Sequence, residues 1–353
     1  MMAGSLVACG STAATGDNEE TVSEVQAEST EVETEETTEV TEIEDTEEAQ
    51  TDEKLEASDE IDESSSGTDE IITEANVTSD GMIDASDMFT ERDLTQNADL
   101  SEAEYLEVKD GEDITISAAG VYVISGNASD VTIYVEAGDE DKVQIVLEGV
   151  SITNESAPAI YVKSADKVFV TTADATDNSL FVTGTFEADE DTNLDAVIFS
   201  KEDLVLNGLG TLNISSSDNG VTSKDTLKVT GGTINVDCTG NAFEAHDAIE
   251  IADGNITVTN SNDGLHAEDS DDDSVGYIYI CGGSFDITAA DDAIHGTTIV
   301  QIDDGDLTLN AAECIEGTYI QINGGNVDIT SSDDGINAAQ KSSQYTPRSE
   351  EHT

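Results

Sequence analysis

The chain has 353 residues with 80 Asp and Glu against 11 Lys and Arg, a formal net charge of -69. That balance excludes nucleic acid as a partner, because phosphate binding rests on Lys and Arg neutralisation and this chain would be repelled. No run approaches 18 apolar residues, so no segment reads as a membrane-spanning helix, and without Trp any core must come from Val, Ile, Leu and Ala.

In chain order, Leu6-Val7-Ala8-Cys9-Gly10 stands first and resembles a bacterial lipobox, in which Cys9 is lipidated and becomes the mature N-terminus. Residues 1–9 then read as the remnant of a lipoprotein signal whose charged start and longer apolar stretch lie upstream. Residues 17–88 carry 28 acids and one base, Lys54, interleaved with Thr and Ser. Such a segment buries too little apolar surface to offset its ordering entropy, so residues 10–99 read as a disordered acidic linker. A tether of about 80 residues spans roughly 50 Å as a neutral coil and more when charged. This order predicts a domain held on the extracellular face of the cell membrane, touching the membrane only through a lipid at Cys9.

Residues 100–346 read as the folded unit. Gly120 to Gly126, Lys142 to Val150 and Lys167 to Val170 are strands of less regular early coils. From about residue 200 the chain repeats itself, at Asp218-Asn219-Gly220, Gly240-Asn241-Ala242, Asn262-Asp263-Gly264, Asp291-Asp292-Ala293, Ala312-Glu313-Cys314 and Asp333-Asp334-Gly335. Successive turns lie 22, 22, 29, 21 and 21 residues apart, the long step holding an insertion at Glu268 to Ser274. Between turns, short alternating runs flank glycine corners, as in Ile320-Gln321-Ile322, Asn323-Gly324-Gly325 and Val327-Asp328-Ile329. This period predicts an all-β, right-handed parallel β-helix, a solenoid with coils of 21–22 residues. Equivalent side chains then stack at about 4.8 Å, with Ile234, Ile256, Phe285, Leu307 and Val327 as one interior column. The last run, residues 347–353, breaks the pattern, is similar to a translated sequencing adapter and is set aside as a scar, with coils missing before it.

Two outward ladders carry the candidate chemistry: Thr222, Glu244, His266, His295, Glu316 and Asn337, beside Asn219, Asn241, Asp263, Asp292, Glu313 and Asp334. Carboxylates stacked at rung spacing repel, and Ca²⁺ relieves that repulsion because it takes several oxygen ligands in flexible geometry. Candidate calcium ligands are Asp263, Asp291, Asp292, Glu313, Glu316, Asp333 and Asp334. Asp269, Asp271 and Asp273 begin an EF-hand-like alternation, but Ser274 and Ile280 stand where that motif needs Gly and Glu. The simpler reading gives Asp, Asn and Gly only turn-forming work. His266 and His295 share a phase, and a pair without a third ligand of clear spacing does not make a zinc site. Candidate sugar contacts are Glu244, His266, His295 and the tyrosines Tyr277, Tyr279 and Tyr319, which alternate with inward isoleucines and so point outward.

Residues 229–340 contain no Lys or Arg against 22 acids, so that stretch offers no cationic base of the kind a uronate lyase needs. Lys224 is the remaining candidate, and ion pairing with Asp225 is its ordinary alternative. Cys238, Cys281 and Cys314 fall at different phases and imply no disulfide or metal knot.

Gly120 to Gly126, Phe199-Ser200-Lys201-Glu202-Asp203-Leu204, Asp263-Gly264-Leu265-His266-Ala267 and Asp333 to Ala339 together resemble a bacterial surface family described as carbohydrate-binding domain-containing proteins. The resemblance implies a right-handed β-helix akin to pectate lyases, bound calcium, and binding of cellulose or an acidic polysaccharide without cleavage. Cys314 departs from the family's turn glycine. The expected protein is a monomeric, non-enzymatic polysaccharide binder. A calcium-dependent lyase using Lys224 is the first alternative, and an adhesin or spacer the second.

Overall fold

A computed structural model describes residues 71–73, 75, 81–269, 272 and 274–339. Cys9, Asp271, Asp273 and the 347–353 run lie outside them, as does most of the acidic linker.

Among the described residues the chain is all-β, with twenty-one strands and a single four-residue helix, Glu91–Leu94. Every ladder between strands is parallel, and each strand pairs with segments one repeat earlier and one repeat later. Val221 pairs with Phe243, Phe243 with Leu265, Leu265 with Ile294, Ile294 with Ile315 and Ile315 with Ile336. These are the 22, 22, 29, 21 and 21-residue steps of the repeat.

The pairings form three columns that the chain visits in turn. Column A runs from Glu104–Glu107 through residues 203–208, 248–251 and 277–281 to residues 319–322. Column B runs through residues 211–216, 255–258, 284–288 and 306–311. Column C starts at Ile114–Ile116 and reaches Ile336–Ala338 through residues 219–223, 243–245 and 265–267. One passage through A, B and C is a rung.

Period-two alternation drives one set of side chains inward. Ile234 pairs with Ile256, then Phe285, Leu307 and Val327, as the repeat predicts, and the first four are buried. Each such buried aliphatic or aromatic side chain contributes about 1.5–3 kcal/mol. The A-to-B corner carries a glycine file in which Gly232, Gly254, Gly283, Gly305 and Gly325 all have positive φ. A Cβ on Gly325 would stand 2.6 Å from the Gly305 carbonyl oxygen, so the corner needs glycine both for its dihedral and for the close approach of the next rung.

The outward file of column A is Gln144, Phe169, Val205, Lys228, Glu250, Tyr279, Gln301 and Gln321. Residues 81–97 lie along it as a strap, and here the sequence reading is corrected, since it had extended the linker to residue 99. The backbone N–H of Met82 donates to Gln321 and that of Ile83 to Gln301, each at 2.9 Å. Further on, Gln96 donates to the Thr230 carbonyl and accepts from the Gly208 N–H, also at 2.9 Å. The strap therefore runs against the stacking direction, crossing one rung after another. Ile83, Met88, Phe89 and Leu94 cover Ala252, Tyr279 and Cys281.

Its anchor is electrostatic. Thr90 and Asp93 form a capping box, and the fully buried Asp93 carboxylate lies 3.6 Å from Lys167 Nζ and 4.0 Å from Lys228 Nζ. Lys228 also meets Glu250 at 2.7 Å, and the Arg92 guanidinium stacks 4.6 Å from the Phe169 ring centroid.

Lys228 keeps Glu250 and Lys167 keeps Asp203, 3.4 Å away, when Asp93 is removed, so the loss falls mainly on the strap and its capping box. Asp93→Ala should therefore lower the denaturant midpoint by an equivalent of about 1–2 kcal/mol and expose residues 81–97 to limited proteolysis. An unchanged midpoint with an intact strap would contradict the anchoring role.

Candidate functional site: the column C ladder

The outer turn of column C repeats one local unit, a side chain at position i bonded to the one at i+3. Asn219 donates to Thr222 at 3.2 Å, Asn241 donates to Glu244 at 3.1 Å, Asp263 meets His266 Nδ1 at 2.6 Å and Asp292 meets His295 Nδ1 at 2.9 Å. A second bond joins the rungs. Asn219 Oδ1 accepts from the Asn241 N–H at 2.7 Å, Asn241 Oδ1 from the Asp263 N–H at 3.2 Å, and Asp263 Oδ1 from the Asp292 N–H at 3.0 Å. Asx side chains thus extend the backbone ladder sideways, which is why the turn needs Asn or Asp at this phase.

Both sequence ladders are in register. Thr222, Glu244, His266, His295, Glu316 and Asn337 pair successively, and Asp292 pairs with Glu313. The His266 and His295 rings lie 4.8 Å apart between centroids, tilted by 41°.

The structure sorts the predicted residues into separate groups. Asp263, Asp291 and Asp292 converge, with ligand oxygens within 4.8 Å of one another. Asp292 is 4% exposed, and its Oδ1 has no hydrogen-bond partner, so a buried carboxylate oxygen remains to be satisfied there. Glu316 comes within the same limit of Asp292 and His295, and Glu313 accepts from Asn337 Nδ2 at 2.8 Å. Asp333 and Asp334 lie exposed at the last described rung. Asp269 is buried away from the ladder, 3.3 Å from His246, which also meets Asp247 at 3.2 Å. His246 and Asp247 were not singled out in the sequence, although a His-Asp step directly after a column C strand was the available signal.

The charges perturb one another. Burial is the largest influence on both members of the Asp263–His266 pair and opposes their charges, yet their mutual bond and attraction together with neighbouring groups outweigh it. His266 is held above the ordinary histidine range, with Glu268 and Glu244 adding to the effect, and Asp263 below the ordinary carboxylate range, helped by the Asp292 N–H. Asp291 is raised by burial and then by the charges of Asp292, Asp263 and Glu313. Glu316 is raised by burial and by Asp292 and Glu313, against the opposing charge of His295.

Beside the ladder lies a groove of about 390 Å³ lined by Lys224, Asn241, Glu244, Ala245, His246, His266 and Glu268. Glu244 is already well partnered there, accepting from Asn219 at 2.9 Å and Asn241 at 3.1 Å. Lys224 Nζ sits 3.3 Å from Glu244 and 3.7 Å from Asp195. Its ion partners are thus Glu244 and Asp195, where the sequence reading had named Asp225.

The tyrosines belong to column A, apart from this ladder. Tyr277 and Tyr319 do share a phase through Ile299, and Tyr319 is 57% exposed. Tyr279 points outward as its alternation predicts but is not open to a sugar, which corrects its reading as a candidate sugar contact. Its ring leaves the sheet on the outer face but is fully buried beneath the strap, and its hydroxyl donates to Asp303 at 2.7 Å. The Tyr277 hydroxyl donates to Glu250 at 2.6 Å, and burial followed by that carboxylate raises its pKa. Tyr279 therefore offers no open stacking face, and Tyr277 is half-buried with its hydroxyl already paired.

Parallel strands thus hold long outward files of carboxylates, amides and imidazoles beside the groove. A family model described as carbohydrate-binding domain-containing protein matches residues 110–345, and the chain belongs to that family. A protein of the same description from Acetivibrio thermocellus is 37% identical over 138 residues, 38% of this chain and 47% of that protein. The chain thus spans about half the length of that curated relative. A solved structure of a polysaccharide lyase-like protein from C. thermocellum, a gadolinium derivative, matches with a TM-score of 0.56 and 28% identity, over 67% of this chain and 99% of that one.

Next in sequence to Lys224, Asp225 is raised to about 6 by burial and then by the charges of Asp203 and Asp247. A carboxyl held above its unfolded value of 3.8 stabilises the fold while protonated, and that stability is lost as pH rises from about 4 through about 6. Asp225→Asn should therefore raise the melting temperature more at pH 7.5 than at pH 4.5, by a gain of about 1 kcal/mol once solvent screening is allowed for. An equal gain at both values would contradict this assignment.

Proposed function

We propose that the protein binds a polysaccharide, cellulose or an acidic pectin-like glycan, on the outer face of column C with Ca²⁺ held in the ladder, and that it performs no chemistry on the glycan. The observation that carries this reading is the buried, unpartnered Asp292 Oδ1 within the Asp263–Asp291–Asp292 cluster, next to an open groove. Crowded carboxylates that raise one another are what a hard divalent cation relieves, and carboxylate and backbone oxygens are its preferred ligands. The family description supports the sugar partner. An acidic glycan would meet repulsion from this face, so the cation would bridge the two.

In this reading the three columns wind as a right-handed β-helix. The 21 to 22-residue rung and the handedness of parallel crossovers support that form. A lipid at Cys9 and the acidic linker would place the domain outside the cell as a monomer.

The lyase reading rests on the polysaccharide lyase-like neighbour and on Lys224 in the groove. Against it, two carboxylates already take the Lys224 ammonium.

Calcium at about 100 times its Kd should stabilise the fold by about 2.7 kcal/mol, read as a rise in melting temperature that a chelator reverses and that Asp292→Asn removes. Retention on cellulose or polygalacturonate should fall on chelation. Retention insensitive to chelator would overturn the calcium bridge, and release of unsaturated uronate absorbance would establish the lyase.

A further inference from the structure

We infer that Asp263, His266 and His295 form a site for a divalent transition-metal ion of the imidazole-preferring class, which shares Asp263 with the oxygen-only calcium cluster and differs from it in its two nitrogen donors. This inference stands on the geometry of the triad and is independent of the glycan reading.

Two histidines at one phase lacked a third ligand in the sequence, and the fold supplies it. One ligand atom from each of Asp263, His266 and His295 lies within 4.8 Å of the others. The set is two imidazoles and one carboxylate, the donor combination that zinc and its first-row neighbours accept and that Ca²⁺ does not seek.

The outer contacts fit a ligand role more closely than a simple ion pair. A metal-bound histidine donates its other ring N–H to a carboxylate or carbonyl, which fixes the tautomer and aims the ring. Each imidazole has such a contact outside the triad: His266 Nε2 lies 3.2 Å from Glu268 Oε2, and His295 Nδ1 lies 2.9 Å from Asp292 Oδ2. With those nitrogens committed, His266 Nδ1 and His295 Nε2 are left for an ion. His266 Nδ1 already faces Asp263 Oδ2 at 2.6 Å, the contact a metal would replace. The other Asp263 oxygen, Oδ1, takes the Asp292 N–H and holds the carboxylate in place.

Placement on a rigid frame adds to this. Asp263 is 3% exposed, the ring-bearing strands pair in register at His266 and His295, and the rings lie 4.8 Å apart between centroids. Neighbouring rungs thus bring the ligands together without any movement of backbone. Single histidines elsewhere in the ladder phase would give no such pair, because Glu244 and Glu316 occupy the flanking rungs.

The test uses the full chain, stripped with chelator and then saturated with Ca²⁺. Zn²⁺ is titrated by calorimetry, and Co²⁺ by its visible absorption. The inference expects one equivalent of each ion, with a cobalt spectrum showing nitrogen ligation. His266→Gln and His295→Gln should each weaken binding at least about ten-fold, and Glu268→Gln, which would not touch the ion, by about ten-fold through His266. If His266→Gln melts early, His295→Gln carries the comparison from its own rung. The inference is overturned by no saturable binding in the native chain, by affinity that both histidine variants retain, or by loss on His246→Gln alone, which would place the ion at the His246–Asp247–Asp269 group. Asp263 belongs to both groups, so Asp291→Asn, which removes a ligand of the oxygen cluster alone, separates them: Zn²⁺ affinity should survive it while the calcium-dependent melting shift falls.

Discussion

Parallel pairing at a spacing of about 4.8 Å is the constraint on which the rest of this molecule depends. Once each strand pairs with its equivalent one repeat away, a side chain chosen for one rung meets its own counterpart on the next. Inside, that yields the Ile234 to Val327 file and a continuous core. Outside, the same rule stacks like charges, and the fold must answer for them. Asn219 and Asn241 do so with side-chain N–H groups that donate hydrogen bonds to Glu244, while Asp263 and Asp292 do so with imidazoles. Asp291 is raised by burial and then by the like charges around it.

Functional asymmetry therefore comes from small departures along a regular column. Asn at two successive rungs makes the early part of the ladder self-satisfied. Replacement of Asn by Asp at residue 263, and of Thr or Glu by His at residues 266 and 295, turns the next part into a set of metal-type donors. The insertion after Ala267 brings Glu268 and Asp269 to the edge of the groove and accounts for the 29-residue step. Column A departs in another way. Its outward file contains Phe169, Val205 and Tyr279, which need cover, and the strap provides it together with the buried Asp93.

Much of this was legible in the sequence because it is local and periodic. The turn spacing predicted the strand register residue by residue, from Val221 to Ile336. It also placed both ladders, since a residue's phase within the repeat determines its column. The strap was not legible. Ile83, Met88, Phe89 and Leu94 are scattered through acidic sequence with no period, and their partners lie more than a hundred residues away, as in the bond from Gln96 to Thr230. The cover over Tyr279 was hidden for the same reason, because alternation tells inside from outside and says nothing of what covers the outside. The Asp263–His266 contact was written as an i,i+3 spacing in every rung, but only the backbone of the turn shows that those two side chains meet.

Whether the stacked turns of column C hold a cation among their carboxylates can be seen in crystals grown with calcium, by anomalous diffraction at long wavelength. A calcium peak is expected among Asp263, Asp291 and Asp292, with Asp292 Oδ1 as one ligand. Density for Asp292 with its Oδ1 bonded to protein or water, and no peak along the ladder, would contradict that expectation.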